Sequence, residues 1–129
     1  MYPIFAFGSE EQKRKYVPKL ASGEWLGAFG LTEPQAGSDA QNTQTTARRD
    51  GKTWLINGQK LYMTNGTHAH THVITARAFD ESKTDLGIGA FIIEAKSDKG
   101  VILGKLGKKI MVVADQLERR TREPDRKTR

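Results

Sequence analysis

The sequence predicts a mainly β domain, built as an antiparallel sandwich or barrel, that follows a short helical segment. Two patterns support this fold class. Short runs of β-branched and aromatic residues recur after residue 24 and are separated by Gly, Asn, Asp and Pro, which is typical of all-β domains. Helical and strand patterns do not alternate and no glycine-rich dinucleotide fingerprint is present, which argues against a doubly wound parallel sheet.

The helical segment begins at a predicted capping box. Ser9 and Gln12 have the spacing at which each side chain satisfies the backbone N–H of the other. Tyr16 opens an apolar side of the helix. Pro18, which has no N–H, is predicted to break or restart the helix, and Gly23 is predicted to end it.

Seven strands are predicted after this helix. Two connections have hairpin signals: residues 49–52, where Gly51 is free to adopt a positive φ, and the Asn57-Gly58 dipeptide, which is the stronger of the two. A further turn is expected at residues 97–100. The predicted strands span residues 25–31, 43–48, 53–56, 59–64, 71–77, 88–94 and 101–106.

The composition limits the function classes. The chain has 129 residues, enough for one domain with a modest core. It contains no cysteine, so disulfides and thiolate chemistry are excluded and a cytoplasmic location is expected. No apolar run approaches the roughly 20 residues of a membrane span. The net charge of +6 is spread along the chain without a nucleic-acid motif, so neither membrane nor nucleic acid is an expected partner.

A polar loop over residues 31–39 follows the first predicted strand. Pro34 and Gly37 forbid regular structure there, and Gly37 allows the backbone to approach a ligand closely. Loops at strand ends are common ligand sites because the strand is rigid and the loop supplies free N–H groups and hydroxyls. The alternative is a tight turn with no further role.

Three histidines alternate along the chain at His68, His70 and His72. On one strand they would share a face and could bind zinc or nickel. No nearby carboxylate or fourth ligand accompanies them. We therefore favour a surface histidine cluster and predict no metal site.

Three stretches resemble the acyl-CoA dehydrogenase family. The first is Leu-Thr-Glu-Pro-Gln-Ala-Gly-Ser-Asp over residues 31–39, and the second is Ile-Asn-Gly-Gln-Lys-Leu-Tyr-Met-Thr-Asn over residues 56–65. The third begins with Phe-Gly-Ser-Glu-Glu-Gln-Lys over residues 7–13. They occur in the order and at the spacing of the family, and the resemblance covers residues 4–110.

This resemblance implies an FAD site. The Thr32 hydroxyl would hydrogen-bond the pyrimidine end of the flavin, and the Thr64 hydroxyl would approach its reactive nitrogen. Ser38 would lie near the pyrophosphate and would also contact the acyl-CoA substrate. Tyr62 stands where the family usually has Trp, and plain strand packing is the alternative for it and for Met63. The implied flavin-binding residues are Phe29, Leu31, Thr32, Gly37, Ser38, Tyr62, Met63 and Thr64.

The resemblance also implies a reaction, the α,β-dehydrogenation of acyl-CoA thioesters with hydride transfer to FAD. Electrons then pass to an electron-transferring flavoprotein, and the full-length family forms homo-oligomers. The catalytic base of the family is a glutamate of a later helical domain that this sequence lacks. We therefore expect an inactive fragment with no catalytic residue of its own.

The expected organisation has three parts. Residues 1–23 would be the end of the N-terminal helical domain, and residues 24–110 the middle β domain. Residues 111–129 depart from the family and form an aberrant basic tail, expected to be disordered or weakly helical; a basic interaction arm is the alternative. The alternative function for the whole chain is a non-catalytic β module that binds a ligand or a protein surface.

Overall fold

The computed structural model describes residues 1–94 and 110–114 of the chain. In these ranges two helices precede six strands, and a short 3-10 helix, Ala40–Asn42, follows the first strand. The fold is therefore mainly β, as predicted. The helices are α1 (Tyr2–Phe7) and α2 (Glu10–Ala21). The strands are β1 (Gly27–Gly30), β2 (Thr46–Asp50), β3 (Thr53–Gly58), β4 (Thr71–Phe79), β5 (Asp85–Glu94) and β6 (Ile110–Ala114).

Helix α2 begins as predicted but does not break at its proline. The Ser9 side chain accepts from the Gln12 N–H at 3.2 Å, and the Gln12 side chain accepts from the Ser9 N–H at 3.0 Å. Pro18 lies inside the continuous helix, so the predicted break is wrong. Its missing N–H removes only one helical bond, and its own carbonyl accepts the Ser22 N–H at 3.0 Å. Gly23 then leaves the helix at φ +80°, as expected of a helix-ending glycine.

The strands form one mixed sheet with β4 at its centre. Strand β5 pairs antiparallel along one edge of β4. The other edge pairs in parallel first with β1, over Thr71 to Ile74, and then with β2, over Arg77 to Phe79. The remaining pairs, β2 with β3 and β3 with β6, are antiparallel. The predicted antiparallel arrangement is therefore wrong for the pairs β1–β4 and β2–β4. The described strands form an open mixed sheet, and the predicted sandwich or barrel is not confirmed.

One of the two predicted hairpins is confirmed. Strands β2 and β3 pair around a tight turn in which Gly51 has φ +60°. Asn57 and Gly58 instead lie in β3 and pair with β6, so they are not a turn. The strand predicted over residues 59–64 is also wrong. The chain there is irregular, because Tyr62 has a left-handed backbone with φ +55° and such a conformation cannot continue a strand.

The sheet buries apolar side chains on both faces. This explains why the first four residues of β4, Thr71 to Ile74, are all buried, since a strand covered on two sides has no solvent face. The first cluster consists of Ala47, Trp54, Ile56, Ile74, Ala76, Ala78, Phe91 and Ile93. The second consists of Ile4, Tyr16, Val73 and Ile92, with Val17, Leu20, Trp25 and Ala90 against it, and it holds the helices to the sheet.

Only some of the predictions for the C-terminal part of the chain fall within the described residues. Strand β6 extends to Ala114, so the first four residues of the expected tail pair with β3. The predicted turn at 97–100, the strand at 101–106 and the rest of the tail lie outside the described residues. The boundaries placed at residues 23 and 110 stay predictions.

Candidate functional site

Residues 31–38, which are most of the predicted polar loop, follow β1 as a compact turn and are called the 31–38 loop. Glu33 and Ala36 exchange two backbone hydrogen bonds, of 2.9 and 3.2 Å, which fold the chain back over Pro34 and Gln35. Ala36 is buried beneath this turn, whereas Gly37 and Ser38 are exposed. The loop therefore has a fixed base and an accessible tip.

The 59–64 segment lies directly beside this loop. The Leu61 N–H donates to the Thr32 carbonyl at 2.8 Å, and the Lys60 ammonium donates to the Leu31 carbonyl at 3.2 Å. A Cβ on Gly30 would lie only 2.7 Å from the Met63 sulfur. The absence of a side chain at Gly30 thus lets two of the sequence motifs meet, and the structure brings Leu31, Thr32 and Met63 into one region.

A buried ion pair underlies this junction. The Lys60 Nζ donates to the Glu33 Oε1 at 2.6 Å, and the two side chains are only 1% and 2% exposed. Lys60 also bonds the hydroxyls of Thr43 and Thr75, each at 3.1 Å. The Glu33 carboxylate accepts further bonds from the Thr43 hydroxyl at 2.5 Å and from the backbone N–H groups of Gln44 and Thr45. Every charged atom of the pair is thereby satisfied, as burial requires.

These contacts determine the ionisation of Glu33. Burial alone would raise its pKa, but the bonds from Lys60, Thr43 and the 44–45 backbone favour the charged form and lower the pKa to about 2. Burial lowers the pKa of Lys60, and the Glu33 carboxylate partly opposes that change. A carboxylate with so low a pKa and no solvent access is unsuited to act as a general base.

The two predicted aromatic residues are both exposed, Tyr62 by 79% and Phe29 by 48%. Phe29 and Met63 lie on opposite sides of β1. A Cβ on Gly27 would contact Leu20 of α2 at 3.2 Å, and Phe29, two residues later, faces the same helical side. Met63 lies on the opposite side, beside Gly30. A ligand that touches both would have to sit at the edge of β1 that does not pair with β4, an edge unpaired in the described part of the chain.

The remaining predicted residues supply accessible polar groups. Thr64 and Ser38 are exposed, Thr32 is half-buried, and Gly37 has open space where a Cβ would stand. Exposed aromatic rings beside hydroxyls and an unobstructed glycine backbone suit a planar ring system that carries phosphates. The residues present therefore fit FAD.

The three histidines have separate environments. His68 is exposed beside the Thr67 hydroxyl, and the His70 ring is stacked on Trp25 with centroids 6.1 Å apart. His72 is buried and its Nε2 bonds the Gly66 carbonyl at 2.7 Å. The predicted single surface cluster is therefore wrong for His72. Within residues 1–94 and 110–114, no group of three or more His, Asp and Glu side chains is placed to hold a metal ion.

Sequence analysis missed Lys60 as a site residue and assigned Glu33 no structural role. The available signal was their placement: Lys60 is the one charged residue of the 56–65 stretch, and Glu33 stands between Thr32 and Pro34. A lysine and a glutamate in such positions are rarely buried unless they pair. Their partners Thr43 and Thr75 give no such signal, because they come from distant parts of the chain.

Two family models match the chain. The middle domain of acyl-CoA dehydrogenases matches residues 28–118, and the N-terminal domain matches residues 1–24. An acyl-CoA dehydrogenase of Bacillus subtilis strain 168 is 48% identical over 109 residues, which are 84% of this chain and 28% of the relative.

Solved structures agree with these matches. A glutaryl-coenzyme A dehydrogenase in complex with glutaryl-CoA superposes with a TM-score of 0.77 at 37% identity, over 89% of this chain and 32% of that one. A glutaryl-CoA dehydrogenase of Mycobacterium smegmatis in complex with FADH2 superposes with a TM-score of 0.68 at 36% identity, over 90% of this chain and 29% of that one.

The mixed sheet and these matches together define the middle domain of an acyl-CoA dehydrogenase fold, preceded by part of the N-terminal domain. The chain belongs to the acyl-CoA dehydrogenase family. It spans about a quarter of the length of the curated relatives that it matches. Among residues 1–94 and 110–114, neither helix has the length and apolar character to cross a bilayer.

Proposed function

We propose that this chain forms one wall of the FAD site of an acyl-CoA dehydrogenase. The observation that carries the proposal is the junction of the 31–38 loop with the 59–64 segment, which presents accessible rings and hydroxyls above a buried ion pair. When bound, FAD would supply the acceptor for the hydride removed from an acyl-CoA thioester. The residues proposed to hold it are Phe29, Leu31, Thr32, Gly37, Ser38, Tyr62, Met63 and Thr64.

Each polar or aromatic side chain of this wall would contact a different part of the cofactor or the substrate. The Thr32 hydroxyl and the neighbouring backbone would donate to the pyrimidine end of the ring, where hydrogen bonds favour the negative charge of a reduced flavin. The Thr64 hydroxyl would lie at the reactive nitrogen, and Tyr62 would cover a ring face. Ser38 would hydrogen-bond the pyrophosphate and orient the thioester end of acyl-CoA.

The proposed reaction needs a carboxylate base that this wall does not supply. Two carboxylates adjoin the wall in sequence: Glu33 is buried in its ion pair with Lys60, and Asp39 follows Ser38 in the exposed tip of the loop. Neither is among the residues proposed to hold the cofactor or the substrate. We therefore propose that the isolated chain does not turn over acyl-CoA. The complete enzyme would pass its electrons to an electron-transferring flavoprotein and would be a homo-oligomer.

Titration of the purified chain with FAD tests the proposal. Quenching of flavin fluorescence should saturate, and Thr32→Ala should weaken binding several-fold through the loss of a hydrogen bond worth about 1 kcal/mol. Thr84→Ala is the matched control, because Thr84 is exposed in the turn before β5, outside the proposed site. A chain that circular dichroism shows to be folded but that does not quench FAD would contradict the proposal and favour a β module without flavin.

A further inference from the structure

The Glu33–Lys60 pair connects four separate parts of the chain. Through Lys60 the 59–64 segment reaches the start of the 31–38 loop, at Leu31 and Glu33, and the central strand β4, at Thr75. Through Glu33 the same loop reaches residues 43–45, which lead into β2. All these partners depend on one buried pair.

A buried ion pair is an inefficient way to stabilise a fold. Removing two charges from water is costly, and apolar residues of similar volume often give equal or greater stability. A pair of this kind instead determines local geometry, because the ammonium and the carboxylate hold several hydrogen-bond partners at defined angles. Here the fixed partners include the Leu31 carbonyl, directly before Thr32.

We propose that Glu33 and Lys60 are positioning residues that hold the 31–38 loop in register with the 59–64 segment and so place Thr32 for FAD. This inference rests on the proposed function. Lys60 holds the Leu31 carbonyl before Thr32 and the Glu33 side chain after it, while the adjacent Leu61 N–H holds the Thr32 carbonyl. Neither charged side chain reaches the surface, so both act through Thr32 and not by touching the cofactor.

The test is a double variant that removes both charges and retains most of the volume, Glu33→Gln with Lys60→Met. Its denaturation midpoint should stay close to that of the wild type, since the pair contributes little net stability. Amide hydrogen exchange at Leu61 and Ala36 should accelerate about tenfold or more, while exchange at Phe91 in the β4–β5 ladder should not change. FAD should bind about tenfold more weakly.

A matched double variant, Arg77→Met with Asp85→Asn, removes an ion pair of 3.1 Å whose side chains are 36% and 49% exposed. It should change neither loop exchange nor FAD binding. If the site variant does not fold, Glu33→Asp provides the same test, because it keeps the charge and shortens the side chain by one methylene.

Two outcomes separate the inference from the proposed function. Unchanged exchange at Leu61 in a folded variant, with unchanged FAD affinity, would overturn the positioning role. A wild-type chain that binds no FAD would overturn the proposed function, and the exchange data would still show whether the pair holds the two segments together. Faster global exchange, including Phe91, would assign the pair a general structural role and reject the inference.

Discussion

Gly58, near the end of β3, lies directly against the side chain of Thr45. A Cβ at position 58 would stand 2.3 Å from the Thr45 Oγ1 and 2.6 Å from its Cβ. Thr45 is buried, and its backbone N–H donates to the Glu33 carboxylate at 3.2 Å. The glycine of the Asn57-Gly58 dipeptide is therefore required for close packing beside the ion pair and not for a turn.

Gly58→Ala should destabilise the fold because the new methyl group has no space. Overpacking of a buried site typically costs about 1–3 kcal/mol, and here the Thr45 main chain must move as well. Urea denaturation measures the effect. Gly37→Ala is the control for stability, since open space surrounds Gly37; equal stability of the two variants would contradict the packing argument.

The stability of the chain should fall as the pH is lowered from 4.5 towards 2. Buried Glu33 has its pKa lowered from 4.5 to about 2, so the unfolded chain takes up the proton first and protonation favours unfolding. The stabilisation of the fold by ionised Glu33, relative to protonated Glu33, is fully present above pH 4.5 and amounts to roughly 3 kcal/mol. It is not the net contribution of the ion pair, which also includes the cost of burying both charges. Denaturation midpoints measured across this range should slope in the wild type and be flatter in the Glu33→Gln/Lys60→Met variant.

His72 should contribute a second, less acidic dependence. Burial lowers its pKa below 6.5, and its bond to the Gly66 carbonyl only partly opposes that change. A base with a lowered pKa stays neutral in the fold while the unfolded chain becomes protonated, so stability is lost as the pH falls below 6.5. His72→Gln should reduce this slope. The exposed His68→Gln is the matched control, and an identical slope in all three proteins would refute the assignment.

Much of the local structure could be predicted from sequence. The Ser9–Gln12 capping box and the turn at Gly51 depend on neighbouring residues, and both were found where expected. The errors arise where distant contacts decide. Gly58 has the sequence of a turn, but its neighbour is Thr45. The parallel pairing of β1 and β2 with β4 joins segments about 30 to 45 residues apart, which no local pattern reports.

The candidate site was also predicted only where local sequence decides. The motifs that contain Thr32 and Tyr62 were identified from sequence, but the Glu33–Lys60 pair between them was not. Its partners, Thr43 and Thr75, lie 17 and 15 residues from Lys60 in sequence. Only the folded chain brings a loop, an irregular segment and the central strand to one ammonium group.

Tyr62 should matter for the cofactor and not for the fold. Its side chain is 79% exposed, so Tyr62→Ala removes little buried surface and should leave the denaturation midpoint nearly unchanged. If the ring covers the flavin, the same variant should weaken FAD binding about tenfold, because aromatic pairs contribute about 0.5–1.5 kcal/mol beyond their buried area. Tyr62→Trp, which restores the residue usual in the family, should retain or strengthen binding.

Leu55→Ala on β3 is the control in the same fluorescence titration, because Leu55 is likewise a large exposed side chain and lies outside the proposed site. Equal FAD affinity in Tyr62→Ala and Leu55→Ala would remove Tyr62 from the site.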